Sequence, residues 1–70
     1  MNYDKIFFLN GQKLSISTDL TISGLLNYFN YKNDIFIVEY NKVICDQKKW
    51  STCVIFPDDK IEIITIVGGG

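Results

Sequence analysis

The three consecutive glycines at positions 68–70 are the residues whose type and spacing most directly predict chemistry. They follow an Ile- and Val-rich segment and, lacking Cβ atoms, pass through channels too narrow for side chains. Three extended residues span roughly 10 Å, so we expect the tail to carry the Gly70 carboxylate into another protein's active site. That carboxylate is ionised at neutral pH and able to attack an activated phosphate. The competing interpretations are a frayed end, a truncated linker or an expression-tag remnant.

Cys45 and Cys53 are the next candidates for chemistry. Two cysteines are too few for a disulfide framework, and the lack of histidine in the sequence removes the usual zinc and Cys/His catalytic arrangements. We expect free thiols that pack as small hydrophobic side chains, with a redox or persulfide role as the alternative. The sequence therefore predicts no metal site.

Composition predicts one small folded domain. The 70 residues are 47% hydrophobic and 21% charged, which is ordinary for a globular protein. Seven basic and eight acidic residues leave no basic surface for nucleic acid. No apolar stretch approaches the roughly 20 residues that span a bilayer, and no secretory signal opens the sequence. We therefore expect an intracellular protein that binds neither nucleic acid nor membrane.

Period-two alternation and turn residues predict the strands. Asn10 and Gly11 favour a tight hairpin because both residues tolerate positive φ. The Pro57-Asp58-Asp59 segment is expected to turn the chain before the last and most apolar strand. The predicted strands are residues 5–9, 13–17, 35–40, 53–56 and 61–67, with a short edge pairing at 43–44.

One helix interrupts these strands. Thr21 is its predicted N-cap, and Gly24 near its start indicates close approach to the sheet. Further along the chain, Trp50 is expected to pack into the core. The helix itself is indicated by an apolar stripe formed by Ile22, Leu25, Leu26 and Phe29.

This order of elements predicts an α+β domain with the β-grasp (ubiquitin-like) fold, a mixed sheet of four to five strands covered by one helix. The first and last strands are expected to lie parallel in the middle of the sheet, which suits the Ile-rich last strand. Residues 1–67 would form the domain and residues 68–70 a flexible tail.

Alternation along the last strand predicts a docking surface at the base of the tail. If Ile61 and Ile63 face the helix, the residues between and after them face away from it. An exposed apolar patch of this kind is typical of a protein interface, although isolated apolar groups on a thin domain are the competing interpretation. The predicted docking residues are Ile37, Glu62, Ile64 and Ile66, together with Phe8.

Acidic side chains near this surface have two interpretations. They complement basic residues on a partner, or they form a solvated face and a turn. The residues concerned are Glu39, Asp58, Asp59 and Glu62.

With these features in place, the sequence resembles the ThiS family of sulfur carriers in thiamine thiazole biosynthesis. The likeness runs through nearly the whole chain, and its most diagnostic part is the closing Val-Gly-Gly-Gly. The segments that carry it are Leu9-Asn10-Gly11, Thr21-Ile22-Ser23-Gly24-Leu25-Leu26, Val38-Glu39-Tyr40-Asn41-Lys42, Lys49-Trp50, Ile61-Glu62-Ile63 and Val67-Gly68-Gly69-Gly70.

The resemblance implies a two-step use of the tail. A ThiF-like adenylyltransferase adenylates the Gly70 carboxylate with ATP, and sulfur from a cysteine-derived persulfide then displaces AMP. The resulting thiocarboxylate donates sulfur to a ThiG-like thiazole synthase. The resemblance thus implies a protein co-substrate with no cofactor of its own, and not an enzyme.

Three alternatives stay open at this level: the small subunit of molybdopterin synthase, a ubiquitin-like modifier conjugated through Gly70, and a purely structural interaction domain. The compartment is open as well. The protein is expected in the cytoplasm, or in a plastid stroma if the bias towards Ile, Lys, Asn, Phe and Tyr reflects an organellar genome.

Overall fold

The computed structural model describes residues 4–31 and 35–65. Ile66 and the glycine tail, to which the predicted chemistry belongs, lie outside these residues. No helix in the described ranges is long and apolar enough to cross a membrane. The elements are β1 Lys5–Leu9, β2 Gln12–Ile16, α1 Ile22–Tyr28, β3 Phe36–Tyr40, β4 Val43–Ile44, a 3-10 turn Gln47–Lys49, and β5 Lys60–Thr65.

The five strands form one mixed sheet in the order β2-β1-β5-β3-β4. β1 and β5 are parallel neighbours in its interior, while β1–β2, β3–β4 and β3–β5 are antiparallel. The predicted β-grasp arrangement, with the first and last strands side by side, is confirmed.

The helix packs across one face of this sheet. The pleat directs alternate residues of β1 and β5 towards it, so these strands contribute two buried residues each. Burying this apolar surface is the main stabilising contribution to so small a domain. The core consists of Phe7, Leu9, Ile22, Leu25, Leu26, Val38, Ile55, Ile61 and Ile63.

Helix α1 begins and ends through local hydrogen bonding. The Thr21 hydroxyl accepts a hydrogen bond from the Gly24 N–H at 3.0 Å, which confirms the predicted N-cap. The predicted apolar stripe is wrong at Phe29, which is 43% exposed because the helix ends one residue earlier. Asn30 follows with φ of 60°, in the left-handed region that often ends a helix.

The expectation that Gly24 approaches the sheet is also wrong. A Cβ at this position would lie 2.8 Å from Leu20 Cδ1, in the segment that precedes the helix. A side chain at position 24 would therefore require the Leu20 side chain, which lies over the first helical turn, to move.

Residues 53–56 are not the predicted strand. Val54 makes a single bridge to Thr21, and the Ile55 N–H donates to the Leu20 carbonyl at 2.8 Å. The segment passes beneath the start of α1 and buries Ile55 completely. Its backbone partners are the helix start and the chain before it, so its alternating pattern serves core packing and not sheet pairing.

Candidate functional site

The face of the sheet opposite the helix carries the side chains predicted for docking. Along β5, Ile61 and Ile63 are buried against the helix, whereas Glu62 and Ile64 are exposed. Ile64 keeps 44% of its surface accessible although it lies on an interior strand. A large exposed apolar side chain in the middle of a sheet is the kind of feature that a partner covers.

Neighbouring strands extend this surface on both sides. Ile37 of β3, which is half-buried, lies directly opposite Ile64 in the antiparallel pairing. On β1, Phe8 is half-buried and its flanking neighbours are buried on the helix side, so Phe8 faces outward. We call Phe8, Ile37, Glu62 and Ile64 the outer face.

Ile6 belongs to the same side of β1 as Phe8 and was missed by sequence reasoning. It is 39% exposed, while Phe7 beside it is fully buried. The alternation along the strand could have identified it. If Phe7 faces the helix, Ile6 and Phe8 on either side of it must face away.

Two acidic residues lie in register on the outer side of the sheet. Glu39 of β3 is directly opposite Glu62 of β5. Like charges in this position repel each other and lower the stability of the sheet. Among residues 4–31 and 35–65 the ion pair present joins Lys5 and Asp19, so neither glutamate is neutralised by a salt bridge there. The outer face thus combines apolar side chains with local negative charge.

Asn10 holds strand β5 in place beyond the last residue of β1. The last β1–β5 register pair is Leu9 with Ile61. Beyond it, the Asn10 side-chain oxygen accepts a hydrogen bond from the Ile63 N–H at 2.8 Å. On the other edge, β3 continues to pair with β5 as far as Thr65. Sequence reasoning assigned Asn10 to the hairpin alone.

The opposite end of β5 is held by the buried Asp59 carboxylate. It accepts hydrogen bonds from the Tyr40 hydroxyl, the Asn41 side-chain amide at 3.0 Å and the Phe56 N–H at 2.7 Å. Asn41 in turn accepts from the Lys60 N–H at 2.7 Å. Only 9% of Asp59 is exposed, so its interpretation as a partner-facing or solvated acid is wrong.

This network also changes the acidity of Tyr40. Burial, and then the hydrogen bond to the Asp59 carboxylate, raise the pKa of the Tyr40 phenol well above its ordinary value. The neutral phenol is therefore favoured, as its role as a hydrogen-bond donor requires.

Cys45 and Cys53 are free, half-buried thiols that pack against the core, as the sequence predicted. Trp50 also packs against the core, with its ring stacked on Phe36. Within residues 4–31 and 35–65, no group of three or more potential ligands could hold a metal ion.

The strand order, the parallel interior pair and the covering helix define a β-grasp protein. The fold is similar to the crystal structure of the thiamine biosynthesis protein ThiS from Geobacter metallireducens, with a TM-score of 0.78. The match covers 93% of this chain and 99% of the Geobacter chain at 19% sequence identity. At that identity the likeness establishes the fold alone.

Sequence similarity then identifies the family. The ThiS family model matches residues 4–70, and the chain belongs to the ThiS family. The sulfur carrier protein ThiS of Bacillus subtilis is 38% identical over 63 residues, covering 89% of this chain and 96% of that protein. The resemblance stated from the residues is thereby confirmed.

Two further relatives differ in length and name. The uncharacterized protein ycf40 of Trieres chinensis is 46% identical over 66 residues, covering 94% of this chain and 90% of that protein. The thiazole synthase of Magnetococcus marinus is 31% identical over 62 residues. Here the similar segment covers 89% of this chain but 19% of the larger protein.

Proposed function

We propose that this chain is a sulfur carrier of thiamine biosynthesis that delivers sulfur as a thiocarboxylate at Gly70. The observation that carries the proposal is the ThiS family match, which extends to residue 70 and so includes the glycine tail. The fold supports it, because β5 is an interior strand and ends at Thr65, shortly before the glycines in the sequence.

The chemistry proceeds in two displacements and a reduction. The Gly70 carboxylate attacks the α-phosphorus of ATP in the active site of a ThiF-like adenylyltransferase, and pyrophosphate leaves. The terminal sulfur of a cysteine-derived persulfide then displaces AMP from the mixed anhydride and forms an acyl disulfide. A thiol reductant attacks the donor sulfur of this acyl disulfide, which releases the thiocarboxylate and leaves the donor cysteine in a disulfide with the reductant. Activation is needed because a carboxylate is a poor acceptor, whereas a mixed anhydride with phosphate is a good one.

In this proposal the chain supplies no acid, base or metal, so it acts as a protein co-substrate and its partners are the enzymes. The contribution of the chain is to position the Gly70 carboxylate. A tail of glycine residues 68–70 enters a narrow channel, and the outer face sets the depth of insertion by docking on the rim.

The outer face suits partners that combine apolar and basic groups. Ile37 and Ile64 offer a contiguous apolar pair, while Glu39 and Glu62 attract positive charge. Binding a basic side chain would relieve the repulsion between the two glutamates, which adds to the favourable free energy of docking. Ile66, predicted for the same surface, lies outside the described residues.

A ThiG-like thiazole synthase is the proposed acceptor of the sulfur. The Magnetococcus marinus thiazole synthase contains a segment similar to most of this chain. A carrier-like segment within a polypeptide named for the synthase supports a working contact between the two. The similarity to ycf40 proteins of algal plastid genomes favours the plastid stroma over a cytoplasm as the compartment.

Intact mass tests the proposal. After incubation with ATP, a ThiF-like adenylyltransferase, a persulfide source and a thiol reductant, one terminal oxygen should be replaced by sulfur. A variant without Gly70 should show no change in mass, and the modified chain should support thiazole formation by a ThiG-like synthase. Higher-mass conjugates through Gly70 would indicate a modifier instead. Transfer to a large molybdopterin synthase subunit, and not to the thiazole synthase, would equally overturn the proposal.

A further inference from the structure

Cys45 and Cys53 face the same cavity at the surface. The cavity has a volume of about 430 Å³ and is also lined by Tyr40, Val43 and Thr52. Both cysteines are half-buried and free, and both pack against the hydrophobic core. Two thiols therefore share one solvent-connected space in a protein that has two cysteines in total.

The backbone holds both cysteines in fixed positions at the two ends of a short loop. The Cys45 N–H donates to the Val38 carbonyl at 2.8 Å, which attaches it to β3. The Cys53 N–H donates to the Lys49 carbonyl at 2.9 Å, and the Cys53 carbonyl accepts from the Ile22 N–H at 2.9 Å. Residues 46–52 thus form a loop that begins at Cys45, beside the sheet, and ends at Cys53, beside the start of α1.

The two thiols are also electrostatic neighbours. Burial, and then the adjacent Cys45 thiol, raise the pKa of the Cys53 thiol. A raised pKa lowers the thiolate fraction of Cys53, and the thiolate is the reactive form. Cys53 therefore suits the second, intramolecular step, in which the neighbouring Cys45 sulfur is the target.

We propose that Cys45 and Cys53 form a modification site, a dithiol that closes to an intramolecular disulfide by exchange with a low-molecular-weight disulfide. The Cys45 thiolate attacks one sulfur of that disulfide and expels a small thiolate. Cys53 then loses its proton and attacks the Cys45 sulfur of the mixed disulfide, expelling the second small thiolate. The two protein thiols are oxidised, and the small disulfide is reduced to two thiols.

This site is separate from the proposed sulfur chemistry of the tail. The exchange uses the Cys45 and Cys53 thiols and does not involve the Gly70 carboxylate, ATP or an adenylated intermediate. The modification therefore acts on the loop between the two cysteines and not on Gly70.

Trp50 provides a direct readout of closure. It is the sole tryptophan, its indole N–H donates to the Cys45 carbonyl at 3.0 Å, and its ring stacks on Phe36 at 5.3 Å. A disulfide between Cys45 and Cys53 would close the loop that contains Trp50, and we expect it to quench the fluorescence of this tryptophan. Closing so short a loop should also raise the melting temperature by on the order of 10 °C, because the unfolded chain loses conformational freedom.

The experiment equilibrates the full chain with mixtures of reduced and oxidised glutathione and follows intact mass, Trp50 fluorescence and melting temperature. The wild type should lose two hydrogens, retain no glutathione, stay monomeric and become more heat-stable. Cys53→Ser should stop at one bound glutathione on Cys45, and reduction should reverse every change.

Several results would overturn the proposal: glutathione retained on both cysteines of the wild type, disulfide-linked dimers, or thiols that stay reduced in oxidised glutathione alone. The wild-type mass decides the matter even if a serine variant fails to fold. Neither ATP nor any partner enzyme is present, so the result is independent of the proposed sulfur-carrier function.

Discussion

The side-chain oxygen of Asn10 accepts a hydrogen bond from the backbone N–H of Ile63, 53 positions later in the chain, at 2.8 Å. The Asn10 oxygen acts as the acceptor in place of a backbone carbonyl, because β1 has ended here and the hairpin turn has begun. Asn10 has φ of 50°, a left-handed conformation that asparagine tolerates better than most residues. One residue therefore both turns the hairpin and steadies the strand that leads to the tail.

Replacing Asn10 with Gly should lower the free energy of unfolding by about 1 kcal/mol, because the left-handed turn remains accessible while the acceptor for Ile63 is lost. Urea unfolding measures the change. Asn10→Asp is the matched control, since it keeps an oxygen in place and should unfold close to the wild type. Equal stability of the Gly variant and the wild type would show that the hydrogen bond contributes nothing.

Asp59→Asn should cost about 2–3 kcal/mol of unfolding free energy. One Asp59 oxygen accepts from both the Tyr40 hydroxyl and the Phe56 N–H, and the other accepts from Asn41. An amide has one acceptor oxygen and would direct its own N–H donors at some of these donors. The control is Asp58→Asn, an exposed neighbour with φ of 69° that asparagine also tolerates. Similar losses in the two variants would contradict the role of the buried carboxylate.

Stability should fall in alkaline solution through Tyr40. Its pKa is raised in the folded state by burial and by Asp59, so between the ordinary tyrosine pKa of about 10 and the raised value the folded state holds a proton that the unfolded state releases. The stabilisation is complete below the ordinary pKa and is lost as the pH rises through the raised one. Urea titrations at increasing alkaline pH should show this decline, and Tyr40→Phe should reduce its slope. An unchanged slope in the Phe variant would assign the decline to other groups.

Ile64→Asp should impair adenylation by a ThiF-like partner at least 10-fold in kcat/KM while leaving the domain folded, because the residue is exposed and central to the outer face. Circular dichroism checks the fold and pyrophosphate release measures the reaction. Val43→Asp is the control, since Val43 is also an exposed apolar residue but lies on the edge strand β4. Normal kinetics for the Ile64 variant, or equal impairment in both, would remove the outer face from docking.

Glu62→Gln should raise the stability of the domain and slow its association with a partner. Removing one of two opposed charges should raise the unfolding free energy by about 0.5 kcal/mol, since Glu39 no longer faces a like charge. Association with a basic partner should become slower at low salt and less dependent on salt concentration. Asp4→Asn removes the same charge at another exposed position and serves as the reference. If both variants change the association rate alike, net charge and not the glutamate pair is responsible.

Features that depend on near neighbours in the sequence were predictable. The hairpin follows from Asn10-Gly11, the N-cap from Thr21, and the two faces of β5 from strict alternation. The outer-face positions of Glu62 and Ile64 were predictable for the same reason, although their part in docking remains a prediction.

Features that depend on distant contacts were not predictable. Asp59 lies in a turn shortly after a proline, where an acid is ordinarily solvated. Its carboxylate is buried here because Tyr40, at the end of β3, and Asn41, in the turn after it, donate hydrogen bonds to it. Ile55 alternates like a strand residue, yet its backbone partner is Leu20. Phe29 fits the helical period of the apolar stripe, but the helix ends one residue before it.

The adjacency of β1 and β5 bears on how the protein is made. A ribosome delivers Phe7 early, but the strand that flanks β1 on the interior side of the sheet, and with it Ile61 and Ile63, emerges only after residue 60. Contacts so far apart along the chain close late in folding. Chains that stop before that point lack Ile61 and Ile63, so the apolar side chains that these residues cover are left open to water and to proteases.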